Sequence, residues 1–184
     1  YPGQAGGQAV AEVLFGDYNP AGKLPLTFYR NLAQIPDFED YNMTGRTYRY
    51  MKETPLFPFG HGLSYTTFKY GKLKMNDDKI AVGQNLNLVI PVTNTGSRDG
   101  DEVVQVYLKK MDDTEGPVKT LRAFKRVRIP AGKTVEVKFS LDDTQLEWWD
   151  EQSNTMRVCP GNYTVMIGGT SCEKSLLSRA FTIR

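Results

Sequence analysis

The sequence predicts a mainly β protein, in which an antiparallel β-sandwich follows a short α/β segment and an irregular linker. Three observations lead to this fold class. Apolar and polar residues alternate in several short runs between about residue 67 and the C-terminus. Turn-forming stretches such as "NTGSRDGD" and "CPGN" separate those runs. Helical periodicity, by contrast, occurs only near the N-terminus.

Residues 1–30 are typical of an incomplete α/β unit. In "GQAVAEVLFG", Ala9, Val10, Val13 and Leu14 have helical spacing, and Gly16 is placed to end the helix. "YNPAGKLPLTF" follows as a turn that leads into a short extended segment. A single helix of about nine residues cannot bury its own apolar stripe, so it needs a sheet that this chain scarcely supplies.

Residues 31–66 show no regular period and are rich in Tyr, Pro, Gly and Asn. Their last part runs into the stretch "PLFPFGHGLSYTTF" (Pro55–Phe68), which contains the only histidine of the chain, His61. The composition of this stretch fits either an active-site loop or a rigid connection between two modules. The residues alone leave both interpretations open.

Residues 67–184 predict about seven short strands, an arrangement typical of an antiparallel sandwich. "LNLVIPV", "TVEVKFSL" and "LLSRAFTIR" show the alternation most clearly, and "EVVQVYL" is a compact β-branched run. The residues predicted to point inward are Leu86, Leu88, Ile90, Val92, Val135, Val137, Phe139, Leu141, Leu177, Phe181 and Ile183.

Charge and composition exclude several classes of function. The formal net charge is +2 and basic residues form only short, interrupted clusters such as "FKRVRI", so an electrostatic footprint for nucleic acid is missing. No apolar run approaches the roughly 18 residues that a membrane span needs. Cys159 and Cys172 are too few for a disulfide framework or a four-ligand zinc site. We expect no bridge between them, because they lie toward opposite ends of a predicted hairpin.

Two motifs resemble binding sites only superficially. "PGQAGGQ" precedes a helix but lacks the glycine spacing of phosphate-binding loops, so a tight turn that permits close backbone packing is the favoured interpretation. His61 has no cysteine or second histidine with which to share a metal, and it is expected to hydrogen-bond to the backbone of a rigid loop.

Acidic clusters and a tryptophan pair complete the candidates for chemistry. Glycoside hydrolysis needs two carboxyl groups about 5–10 Å apart across one sugar, whereas most of the acidic clusters lie in turn-like stretches. Trp148 and Trp149 fit a sugar-stacking platform, but strand geometry favours one ring in the core and one partly exposed. The acidic clusters are Asp37/Glu39/Asp40, Asp99/Asp101/Glu102, Asp112/Asp113/Glu115 and Asp142/Asp143.

Longer motifs resemble glycoside hydrolase family 3 in order along essentially the whole chain. "YPGQAGGQAVAEVLFGDYNPAGKLPLTFY" is similar to the end of that family's second domain. "GRTYRYM" and "TPLFPFGHGLSYTTF" resemble the segment that leads into its C-terminal module. "VTNTGSRDGDEVVQVYL", "LRAFKRVRIPAGKTVEVKFSL" and "CPGNYTVMIGG" resemble its fibronectin type III-like domain. The forms "YPGQAGGQA" and "GRTYRY" resemble the β-xylosidase branch more than typical β-glucosidases.

The resemblance implies a division of the chain into three parts. Residues 1–30 would be the C-terminal remnant of an α/β sandwich domain, and residues 31–66 an irregular linker or docking segment. Residues 67–184 would form an immunoglobulin/fibronectin type III-like sandwich. Pro55–Phe68 would then be a rigid splice, in which prolines stiffen the backbone, glycines permit reversals and aromatic rings supply docking area. The sequence leaves open whether the Tyr41–Tyr50 segment approaches the substrate cleft in a complete enzyme.

The resemblance also implies a function. The chain would be the C-terminal accessory region of a retaining β-xylosidase or β-glucosidase, whose catalytic aspartate and glutamate precede the motifs found here. It therefore assigns no catalytic, cofactor-binding or metal-binding residue to this chain, and we expect the chain alone to be inactive. The implied partners are a barrel domain, an α/β domain and a β-linked oligosaccharide, with no nucleic acid or membrane, in a secreted or periplasmic enzyme. The alternative is an autonomous carbohydrate-binding or protein-interaction module.

Overall fold

Two β-sheets dominate the computed structural model, which describes residues 3–184. Strand β4 is the centre of the first sheet, with β1 and β2 on one edge and β7 on the other. The strands in chain order are β1 (Phe68–Tyr70), β2 (Lys74–Met75), β3 (Lys79–Ile80), β4 (Leu86–Asn94), β5 (Gly100–Lys110), β6 (Thr120–Ile129), β7 (Thr134–Leu141), β8 (Trp148–Asp150), β9 (Thr155–Arg157), β10 (Gly161–Gly168) and β11 (Leu177–Ile183).

The second sheet has the strand order β3–β11–β10–β5–β6. Its pairings are antiparallel except for the parallel pairing of β11 with β3. Strands β8 and β9 form a separate antiparallel hairpin. The prediction of a mainly β, antiparallel sandwich is therefore confirmed.

The core lies between the two sheets and follows the predicted alternation. Leu86, Leu88, Ile90 and Val92 of β4 are fully buried, while the intervening residues are partly or fully exposed. Val104, Val106 and Leu108 of β5, Val165 and Ile167 of β10, and Phe181 and Ile183 of β11 belong to the same apolar cluster. Of the other predicted inward residues, Val137 and Leu141 are buried and Val135 and Phe139 are half-buried, but Leu177 is exposed, so its predicted inward position is wrong.

The described part of the chain contains eleven strands, whereas the sequence predicted about seven. Strands β1, β2, β3 and β9 contain only two or three residues each, too few to establish a period of two in the sequence. They pair along the edges of longer strands or form one arm of the small hairpin. Their formation therefore depends on tertiary pairing more than on local pattern.

The helices are short. Helix α1 (Gly6–Phe15) ends as predicted at Gly16, whose φ of 83° lies in the left-handed region. Helix α2 (Thr47–Tyr50) lies in the irregular segment. Helix α3 (Asp143–Leu146) was not expected; a capping box formed by Asp142 and Gln145 begins it. Two 3-10 turns complete the set, Leu32–Gln34 and Glu173–Ser175. No helix within residues 3–184 has the length and apolar character to cross a membrane.

Strand β5 is buried on both faces of its sheet. Val104 and Val106 point into the core, whereas Gln105 and Tyr107 alternate with them and lie on the outer face of the sheet. Gln105 and Tyr107 are nonetheless buried, because residues of the irregular segment cover them. The irregular segment thus packs on the sandwich as an additional layer.

Candidate functional site at the junction of the two parts

The Pro55–Phe68 stretch is held by backbone hydrogen bonds on two sides. Toward the N-terminal part, Leu24 N–H donates to the His61 carbonyl at 2.8 Å and Gly60 N–H donates to the Leu24 carbonyl at 2.8 Å. Toward the sandwich, Ser171 N–H donates to the Phe59 carbonyl at 2.9 Å. The stretch therefore connects the N-terminal part to the sandwich through its main chain.

A buried glutamine fixes the tightest point of this stretch. The Gln105 amide nitrogen donates to the Gly169 carbonyl at 2.7 Å and to the Gly60 carbonyl at 3.4 Å, and the amide oxygen accepts from the Tyr107 hydroxyl at 2.5 Å. Gly60 has a φ of 77°, and a β-carbon placed on it would collide with the Gln105 amide. Glycine is therefore required at this position both for its backbone conformation and for the close approach.

Aromatic rings pack the same junction. Tyr48 stacks on Phe59 with 4.3 Å between ring centroids and meets Tyr107 edge-on at 5.8 Å. The Tyr48 hydroxyl also accepts a hydrogen bond from Leu121 N–H at 3.1 Å. Burial raises the pKa of the Tyr107 hydroxyl, so it remains a protonated donor at neutral pH. Aromatic ring pairs of this kind contribute about 0.5–1.5 kcal/mol in addition to the free energy gained from burying their surface.

His61 is placed by its ring and its backbone. The imidazole stacks on Phe57 with a centroid distance of 5.0 Å and an interplanar angle of 28°. The His61 carbonyl accepts from Leu24, and its N–H donates to the Pro58 carbonyl at 3.0 Å. Within residues 3–184, no group of three or more His, Cys, Asp or Glu side chains is close enough to hold a metal ion. The His61 imidazole makes no hydrogen bond within the described residues, so the expected bond from this side chain to the loop backbone is not found, and only the main chain of His61 makes such contacts.

A buried carboxylate joins the two parts electrostatically. Glu102 was listed with acidic clusters that mostly lie in turns, but it also opens the predicted strand "EVVQVYL"; it lies in β5 and is 5% exposed. The Lys23 ammonium lies 3.3 Å from its Oε1, and the Tyr70 hydroxyl donates to the same oxygen at 3.0 Å. Burial raises the pKa of the Glu102 carboxyl, and the charge of Lys23 opposes that rise. The period of two contained the signal, since Glu102 is in phase with the inward-facing Val104 and Val106.

The remaining acidic clusters perform structural tasks. Asp99 accepts from Ala131 N–H at 2.9 Å and pairs with Arg128 at 3.2 Å, and Asp142 caps helix α3. Hydrogen bonds hold the pKa of Asp40, Asp99 and Asp142 below the ordinary range, those from Asn42, Ala131 and Thr144 respectively being the largest influence. These groups therefore stay ionised at neutral pH and are unsuited to act as a general acid.

The tryptophan pair divides as strand geometry predicted. Trp148 is buried, its Nε1 donates to Asp113 at 2.7 Å, and the Arg122 guanidinium lies 5.1 Å from its ring centroid. Trp149 is 50% exposed and lines an open depression of about 590 Å³ together with Tyr50. Trp148 is thus a core residue and Trp149 a surface residue.

Comparison with known proteins matches the two parts of the chain to different family models. A model of the glycosyl hydrolase family 3 C-terminal domain matches residues 1–65, and a model of the fibronectin type III-like domain matches residues 102–171. The two matched segments are similar to the C-terminal region of glycoside hydrolase family 3. The resemblance found in the sequence motifs is therefore confirmed, and the family 3 region present here is the C-terminal one.

Relatives in family 3 are much longer than this chain. A xylan 1,4-β-xylosidase from Xylanibacter ruminicola is 51% identical over 183 residues, which are 100% of this chain and 21% of that protein. A β-xylosidase from Formosa agariphila is 40% identical, with 100% of this chain and 26% of that protein covered. A periplasmic β-glucosidase from Salmonella typhimurium is 38% identical over 94% of this chain and 24% of its own length. The chain thus spans about a quarter or less of these relatives.

Solved family 3 structures show the same fold. A β-glucosidase from Streptomyces venezuelae in complex with D-glucose aligns with a TM-score of 0.85 and 31% identity, covering 100% of this chain and 25% of that one. A β-D-glucoside glucohydrolase from Trichoderma reesei aligns with a TM-score of 0.83 and 25% identity, covering 100% of this chain and 29% of that one. The packing of the junction described above is thus built on a fold shared with longer enzymes.

Proposed function

We propose that this chain is the C-terminal structural region of a family 3 β-glycosidase and that its N-terminal third docks against the preceding domains. The observation that supports docking is the distribution of exposed apolar side chains along the chain. Of the 21 large hydrophobic residues that are exposed among residues 3–184, 15 lie within residues 3–66. The sandwich buries its own apolar residues, whereas the N-terminal part leaves its apolar residues uncovered.

Helix α1 is the clearest case. None of its residues is buried, and Val10, Leu14 and Phe15 are 56%, 74% and 85% exposed. An isolated helix of ten residues is marginal in water, and packing of an apolar face normally supplies most of its stability. Contiguous exposed apolar surface marks an interaction site, so a preceding α/β domain is the proposed cover.

The proposed division places residues 1–30 and 31–66 in the docking part and residues 67–184 in the sandwich. The first strand of the sandwich at Phe68 supports this boundary. The proposed substrate of the parent enzyme is a β-linked xylo- or gluco-oligosaccharide, and the higher identity of the two β-xylosidases favours xylose. The catalytic aspartate and glutamate are proposed to lie in the preceding domains. The periplasmic relative supports a secreted or periplasmic location.

The test compares matched substitutions in the full-length parent and in the 184-residue chain. Phe15→Asp should destabilise the parent by about 1.5–3 kcal/mol, because a docked phenyl ring would be replaced by a charge. The same change should leave the melting temperature of the isolated chain within about 1 °C, since Phe15 is already exposed there. Phe124→Asp, at a 68% exposed position of β6, is the control and should be neutral in both proteins.

Activity provides the second measurement. The parent should release nitrophenol from aryl β-xyloside or aryl β-glucoside, and the isolated chain should not exceed the buffer blank. Loss of both catalytic carboxyl groups removes most of an acceleration that is typically about 10⁶-fold or more. Equal effects of Phe15→Asp and Phe124→Asp on the parent would contradict docking through α1. Turnover by the isolated chain would contradict the proposed placement of the catalytic residues.

A further inference from the structure

A cavity of about 500 Å³ lies between the irregular segment and the sandwich. The irregular segment contributes Tyr48, Met51 and Leu56 to its walls, and the sandwich contributes Val118 and Ser171. This volume falls within the range of about 300–1,000 Å³ that is usual for small-molecule sites. The cavity is distinct from the open depression beside Trp149 and from the contacts of Glu102.

The charges around this cavity are unbalanced. Two carboxylates line it, Glu53 and Glu173, and Glu53 already accepts a hydrogen bond from the Gln34 amide at 3.0 Å. None of the four ion pairs found within residues 3–184 involves a residue of the cavity wall. The basic residues of the wall are Arg30, Lys52, Lys109, Lys119 and Lys174. Five cations therefore surround one cavity without forming an ion pair in the described structure.

Lys119 is the least expected of these cations. The residue as a whole is 8% exposed, and its ammonium, which is not among the fully buried unpaired groups, makes no ion pair or side-chain hydrogen bond within the described residues. Burial lowers the pKa of Lys119, and the charge of Glu173 opposes that shift. The stem of Lys119 is therefore enclosed, whereas its ammonium retains access to solvent and can pair with an anion.

We propose that this basic cavity binds a small organic anion, specifically a sugar carboxylate, whose carboxylate group pairs with the Lys119 ammonium. A negatively charged carboxylate complements the positively charged wall of the cavity. Charge-assisted hydrogen bonds to ammonium groups are among the stronger ones in proteins. The cavity is much larger than an inorganic ion requires, and Tyr48, Met51 and Leu56 provide apolar wall for a ring. Sugar hydroxyls can accept hydrogen bonds from the other ammonium groups of the wall.

This inference goes beyond the structural role proposed above and does not depend on it, because every wall residue lies in the 184-residue chain. Isothermal titration calorimetry of this chain with sodium glucuronate, glucose and inorganic phosphate at equal ionic strength tests it. We expect saturable binding of glucuronate, no binding of glucose, and phosphate binding at least about tenfold weaker. Raising the sodium chloride concentration should weaken glucuronate binding, because salt screens the cationic wall.

Variants locate the site. Lys119→Met, which keeps an unbranched side chain one atom shorter and removes the charge, should weaken glucuronate binding at least about tenfold. Lys125→Met makes the same change at an exposed position of β6 outside the cavity and should leave the affinity unchanged. Lys174→Gln, at an exposed position of the rim, should weaken binding several-fold without affecting folding. It therefore keeps the test decisive if Lys119→Met fails to fold.

Three results would overturn the proposal. Absence of glucuronate binding would do so directly. Equal binding of phosphate and glucuronate would show a site for any small anion. Unchanged affinity in both Lys119→Met and Lys174→Gln would place the binding elsewhere.

Discussion

Gly60→Ala is the substitution that tests the junction most directly. Two costs add at this position. Alanine at a φ of 77° costs about 1 kcal/mol relative to glycine. The new β-carbon would also collide with the Gln105 amide and displace its hydrogen bonds to Gly169 and Tyr107. Leaving such buried polar groups without partners costs about 1–3 kcal/mol. The total is about 2–4 kcal/mol.

Differential scanning calorimetry provides the measurement, and Gly83→Ala provides the control. Gly83 has a similar φ of 83°, but a β-carbon there would meet nothing within 4 Å, so only the conformational cost applies. At about 3 °C per kcal/mol for a chain of this size, Gly60→Ala should lower the melting temperature by about 6–12 °C and Gly83→Ala by about 3 °C. In the double variant Gly60→Ala/Gln105→Ala, part of the collision should be relieved, so the two losses should not add. Equal losses in Gly60→Ala and Gly83→Ala would refute the argument that Gln105 fixes the junction.

Three further predictions follow from the fold. Trp148→Ala should cost about 3–5 kcal/mol in denaturant unfolding because it opens the core, whereas Trp149→Ala should cost less than about 0.5 kcal/mol; a comparable loss would contradict their division. In a carbon-13 NMR titration, the pKa of Glu102 should lie above the ordinary range of a glutamate, because the carboxyl is buried. Since the folded-state pKa exceeds the unfolded one, the contribution of Glu102 to stability should fall as the pH rises through the folded-state pKa, and an ordinary or lowered midpoint would contradict its burial. Limited proteolysis should first cut within residues 30–55 and leave the sandwich intact, whereas loss of the sandwich with the first cut would contradict its independence.

The sandwich could be predicted because its long strands carry their own pattern. The alternation of Leu86, Leu88, Ile90 and Val92 specifies which face of β4 is buried, and that face is buried in the structure. The end of helix α1 at Gly16 could also be predicted from local sequence, because helices commonly end at a glycine in the left-handed conformation. In these places the sequence pattern and the tertiary contacts agree.

The junction could not be predicted in detail, because its contacts join residues far apart in the sequence. Lys23 meets Glu102 across 79 positions, and Gly60 meets Gln105 across 45. Gln105 and Tyr107 have the outward phase of β5, so an alternating pattern places them in solvent; the packing of the irregular segment buries them instead. Glu102 begins the predicted strand "EVVQVYL" in the inward phase, but the pattern does not show that Lys23 and Tyr70 reach its carboxylate.

The chemistry of the junction suggests why polar groups are found where apolar groups would also pack. A buried ion pair such as Lys23–Glu102 adds little net stability, because desolvation of both charges offsets their attraction. Its geometry is nevertheless demanding, since the ammonium and the Tyr70 hydroxyl must reach the same carboxylate oxygen. The Gln105 amide imposes a similar demand on Gly60 and Gly169. A sliding or rotated docking segment would leave these groups unpaired at a cost of several kcal/mol. The junction is therefore suited to fix the orientation of the exposed apolar face of α1 relative to the sandwich, which a docking surface requires.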